Sequence, residues 1–171
     1  KIKPQNNILN ALYIFKKARN FTETNLANKL NSAVDQLYQI ACGEDITLRL
    51  LAVSVIDYIF STLNFQTINI MIVNYFHNCR RYIFSKKSPS SHGPLLILRT
   101  LYDIKPSLFN EEKGRLITVL LELSKNQYNP LSLDAMKFLL NMEKNSDYIF
   151  SKNVICEFLD ALLMKCTKAK K

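Results

Sequence analysis

The tripeptide Tyr-Ile-Phe recurs down the chain, at Tyr13-Ile14-Phe15, Tyr58-Ile59-Phe60, Tyr82-Ile83-Phe84-Ser85-Lys86 and Tyr148-Ile149-Phe150-Ser151-Lys152. The first two copies stand 45 residues apart, and Asn-Phe follows each, at Asn20-Phe21 and Asn64-Phe65. A third echo, Leu101-Tyr102-Asp103-Ile104, comes 44 residues after the second. A period of this size is the length of a two-helix unit, and it points to an architecture in which one small unit recurs.

Helix start and stop signals bracket eight segments. The first spans Asn6 to Arg19, with Ile8, Leu9, Leu12, Tyr13 and Phe15 as its apolar stripe. Thr22 caps a second that ends at Gly43, and Asp45 opens a third whose apolar residues cover most of its circumference. The fourth runs from Gln66 to Ser85. The residues 86–94, dense in Ser, Pro and Gly, are expected to be an exposed loop. Pro94 suits the first turn of the fifth helix. Asn110, followed by Glu111 and Glu112, starts the sixth, with its carboxylates at the positive end of the helix dipole. Asn129-Pro130 starts the seventh, with Leu133 and Leu140 among its apolar residues. Ser151 caps the last, in which Val154, Ile155, Phe158, Leu159, Leu162 and Leu163 are expected to face inward. The β-branched run Ile68–Val73 continues at helical spacing into Tyr75 and Phe76, so length favours helix there too.

The expected fold is therefore all-α. Pairing consecutive helices gives four units whose second helices begin near Thr22, Gln66, Asn110 and Ser151, at intervals of 44, 44 and 41 residues. In length, pairing and apolar spacing the chain resembles the HEAT and armadillo class of helical repeat proteins. Pro106 and Asp57 or Asp103 come nearest to the proline and aspartate of a HEAT unit, although they do not recur in phase. The resemblance implies an α-solenoid of about four antiparallel helix pairs; the alternative is a closed helical bundle. One domain over 1–171 is expected, ending in a basic tail at 165–171. A start at Lys1-Ile2-Lys3-Pro4 suggests a piece of a longer protein.

With 171 residues, nearly half of them hydrophobic, the chain can bury a real core. Three glycines and five prolines are too few to punctuate a many-stranded β fold. The net charge of +9 favours acidic partners, nucleic acid among them. Cys42, Cys79, Cys156 and Cys166 form no CxxC pair and sit in apolar stretches, where a thiol is a small buried hydrophobe. They point to a reducing intracellular compartment, nucleus or cytoplasm. No apolar run is long enough to span a bilayer.

Catalytic chemistry is hard to place. His77 lies in an apolar helix, where a hydrogen-bonded structural histidine is expected, and His92 falls in the flexible loop. His77 and Cys79 are two apart and so lie on different sides of a helix, not around one metal. There is no glycine-rich phosphate loop. The chain reads as a non-enzyme without cofactor, metal or catalytic residues.

Four cations, Arg80, Arg81, Lys86 and Lys87, interleave with Tyr82 and Phe84, a pattern that suits docking of an acidic peptide or a phosphate backbone. Ser88, before Pro89, is a candidate phosphate acceptor. The second helices also carry Asn31, Asn74, Asn78, Glu122 and Lys125, an amide-rich set suited to hydrogen-bonding an extended peptide or a partner helix. The function expected is a protein-protein interaction module, a scaffold or assembly subunit. A nucleic-acid-associated helical repeat using the basic patch is the alternative.

Overall fold

The structure, a computed structural model, describes residues 23–62, 66–85, 89–144 and 150–168. Over these it is all-α. Seven helices follow one another: α1 (Glu23–Ala41), α2 (Ile46–Thr62), α3 (Gln66–Ser85), α4 (His92–Ile104), α5 (Lys113–Ser124), α6 (Asn129–Lys144) and α7 (Lys152–Lys168). Short 3-10 turns over Pro89–Ser91 and Pro106–Phe109 lead into α4 and follow it. The helix expected at Asn6–Arg19, and its partner cap Thr22, lie outside the described residues.

The ends of these helices follow from local chemistry. Asp45 Oδ1 accepts the amides of Thr47 and Leu48, at 2.8 and 3.0 Å, and so satisfies two orphan donors at the start of α2. Ser151 Oγ accepts the amide of Val154 at the start of α7. The expected start near Asn110 is displaced. Asn110 closes the Pro106–Phe109 turn, and Glu112 occupies the cap of α5 without a side-chain capping bond. Its carboxylate is spent elsewhere, on Arg80 of α3.

α4 is the most enclosed helix. From Ser91 to Leu98 every residue is buried, and α4 packs against α1, α2, α3 and α6. Aromatic edges staple this centre: Phe109 meets Phe76 of α3 at 4.7 Å and Tyr102 of α4 at 5.2 Å, and Tyr102 meets Phe138 of α6 at 5.6 Å. Each such pair contributes about 0.5–1.5 kcal/mol beyond its buried area. The close-packed neighbours in sequence are α1 with α2, α3 with α4, and α5 with α6. Longer-range packing joins α1 to α3, α2 to α4, α4 to α6 and α5 to α7.

Several expectations are corrected. The hairpins are one helix out of phase with the expected pairing, because α1 packs closely with the helix that follows it. Ser91, His92, Gly93 and Pro94, expected in an exposed loop, are buried. The small and special residues there permit close approach instead of marking a free turn. Lys165 belongs to α7 and not to a tail; its ammonium binds Asn126 O at 2.6 Å and Asn129 Oδ1 at 3.1 Å, fastening α7 to the link between α5 and α6. α2, apolar around most of its circumference, still leaves Ile46 and Leu50 exposed. Most consequential, Ile155, Leu159 and Leu163 of α7 face outward, as do Leu133 and Leu140 of α6. α7 packs chiefly on α5, so only one side of its wide apolar arc is covered.

Candidate functional site

The two arginines of the basic cluster differ in their surroundings. Arg80 is half-buried, forms an ion pair with Glu112, and lies over the rings of Phe76 and Phe84 at 5.8 and 6.0 Å. Arg115, from α5, covers Phe84 more closely, at 4.5 Å. Arg80 is thus a structural tie between α3 and the start of α5, its charge already met. Arg81 is exposed. Lys86, Lys87 and Ser88 lie outside the described residues. Replacing Arg80 by Ala is expected to cost about 1–2 kcal/mol, through lost packing on two rings and an abandoned carboxylate. Arg81→Ala should stay within about 0.5 kcal/mol of the parent. Equal losses for the two variants in urea unfolding would refute this division.

The amide-rich residues are all exposed, on three helices. Asn31 lies exposed on α1, Asn74 and Asn78 on α3, and Glu122 and Lys125 on α5. Lys125 is occupied by Glu157 of α7, at 2.9 Å.

The most organised polar group is one that sequence reasoning missed. Arg49, in the first turn of the apolar α2, is 3% exposed, and His92, the first residue of α4, is 1% exposed. Arg49 donates to His92 Nδ1 at 3.0 Å, to Gly43 O at 2.6 Å and to the Tyr128 hydroxyl at 3.4 Å. Arginine can only donate, so Nδ1 accepts. Nε2 then carries the proton and donates to Asp134 Oδ2 of α6, at 2.8 Å. Asp134 also meets Lys137 at 3.1 Å and Arg99 at 3.8 Å. Burial pushes the Asp134 carboxyl up, but the hydrogen bonds from His92 and Lys137 and the charge of Lys137 outweigh it and hold the group below its usual range. The network joins α2, α4 and α6 and the loop before α6. Both imidazole nitrogens are engaged, so neither faces a substrate. A warning was present in the sequence: a charge inside an all-round apolar helix needs a buried partner.

The histidine roles are therefore reversed, for His77 is exposed, its ring centroid 5.3 Å from that of Phe76. The thiols divide as well. Cys79 is buried and Cys42 half-buried, whereas Cys156 and Cys166 are exposed on α7. Burial pushes the Cys79 and Cys42 thiols up, opposite to the direction that activates a nucleophile. Among the described residues no group of three or more His, Cys, Asp and Glu is placed to hold a metal. No described helix is long and apolar enough to cross a membrane.

What remains is the apolar end of the fold. α6 and α7 enclose an open groove of about 290 Å³, lined by Leu139, Leu140, Glu143, Phe150, Ile155 and Phe158. None of the described residues among the sequence-predicted site residues lines it. The same two helices also expose Leu133, Leu159, Leu163 and Met164, of which Leu163 is 62% exposed. Single exposed apolar residues are ordinary; here several fall on two consecutive helices. Compared with known proteins, the chain matches no family model, no curated protein and no solved structure.

Proposed function

We propose that this chain is a non-enzymatic protein-interaction module, a scaffold or assembly subunit that holds a peptide or partner helix on its helical surface. Its architecture is read as a short α-solenoid of the kind the HEAT and armadillo class displays. In support of the solenoid, helices two apart in sequence pack together, and no close packing joins α1 or α2 to α6 or α7. A closed bundle would need such contacts.

The observation that carries the interaction reading is the uncovered apolar face of α6 and α7. Apolar side chains left in water at this density gain stability when a partner covers them, at about 25 cal/mol per Å². The buried, fully bonded His92 and the raised thiols count against a catalytic reading. Nucleic acid is the weaker partner, since Arg80 is already neutralised by Glu112. Four free thiols, two of them exposed, suit a reducing compartment.

Leu159→Asp tests the reading directly. The side chain is half exposed, so the fold should survive, with helical circular dichroism unchanged. Proteins that co-purify with the parent chain should be lost from the variant, while Arg81→Ala retains them. Retention by Leu159→Asp, or loss with Arg81→Ala alone, would move the interaction away from this face.

A further inference from the structure

Two observations specify what the apolar end accepts. The first is the continuity of packing. α4 lies against α2 and α3, and α6 lies against α4 and α5. Each therefore fills the angle between the helix just before it and the helix two before it. α6 and α7 make the next such angle, walled by Leu139 and Leu140 on one side and Ile155 and Phe158 on the other; Leu140 and Ile155 are exposed, as is Leu159 one turn beyond Ile155. The elements that fill the two preceding angles are helices of 13 and 16 residues. An angle of the same make accepts the same shape.

The second observation is a carboxylate. Among the described residues, Glu143 is the one charged residue lining the groove. Glu112 is met by Arg80, Asp134 by His92 and Lys137, and Glu157 by Lys125. Glu143 is exposed and forms no ion pair among the described residues. A carboxylate set beside an apolar wall strengthens a cation brought there by an incoming helix and opposes an anion.

We propose, on the interaction reading above, that the α6–α7 groove seats an amphipathic α-helix of a partner protein. That helix presents apolar side chains one turn apart and a lysine or arginine that meets Glu143. The apolar anchors supply affinity, and the cation fixes orientation and excludes acidic helices.

Two synthetic fluorescein-labelled peptides of about 18 residues test this with the full chain. Both are helical, with leucines at i, i+4 and i+8, and they differ only in lysine or glutamate beside the middle leucine. Fluorescence anisotropy should show the lysine peptide binding at least about tenfold more tightly, and Glu143→Gln should bring the two close to parity. Leu159→Asp should weaken both. Equal binding of the two peptides, lost in Leu159→Asp, would overturn the charge-specified partner while leaving the interaction reading intact. Binding of neither peptide would overturn both. Sedimentation showing a dimer that Leu159→Asp splits would assign the groove to a second copy of this chain and overturn the proposal.

Discussion

Gly93→Ala is expected to destabilise the fold by at least about 3 kcal/mol, because a Cβ there has nowhere to go. Built on the existing backbone, that atom would lie 1.8 Å from the carbonyl oxygen of Ala41 and 2.5 Å from its carbon. Both are backbone atoms at the end of α1, so no side chain can swing aside. Either α1 or α4 must shift, and α4 is packed on four helices. Gly114→Ala is the internal control. A Cβ at Gly114, exposed in the first turn of α5, meets nothing within 4 Å, so the same substitution should be neutral or stabilise by up to about 1 kcal/mol. Urea unfolding of the two variants measures both effects in one experiment. A Gly93→Ala midpoint within error of the parent would mean that α1 and α4 do not meet as described.

His92→Leu should cost about 3 kcal/mol, although it replaces a buried polar ring with an apolar side chain of comparable size. The replacement removes the acceptor for Arg49 and the donor for Asp134 while leaving both charges in place. Arg49 keeps Gly43 O and Tyr128, but its Nε is already buried without a partner. An uncompensated guanidinium inside the protein is the dominant cost. Acid supplies a second readout. The Asp134 carboxyl is held below the ordinary carboxylate range, so the stability it contributes is present above that range and lost as pH falls through the lower folded value. The gap between parent and His92→Leu should therefore narrow below about pH 4. A gap that stays constant to pH 2 would show that His92 and Asp134 are not coupled.

Helix boundaries were legible wherever a local group sets them. Asp45 and Ser151 act within three residues of themselves, α6 begins at Asn129, and α3 spans Gln66 to Ser85 as its apolar spacing implies. The candidate site was much less legible. Arg80 looked like a free cation because Glu112 is 32 residues away in sequence. His92 looked mobile because Ser, Gly and Pro surround it, yet the same residues allow tight packing under α1. Leu159 and Leu163 looked buried because apolar periodicity reports which face is greasy and not whether anything lies against it.

The amino-acid order alone determined that this chain is helical and where most helices start and stop, since capping and 3.6-residue spacing act over a few residues of contiguous backbone. Tertiary structure decided which apolar stripes are covered, which charges are met, and that α4 rather than α2 is the enclosed centre. Those outcomes depend on contacts between residues tens of positions apart. Hydrophobic burial is non-directional, so a stripe will accept any complementary neighbour, and only the packed molecule shows that α6 and α7 are left without one.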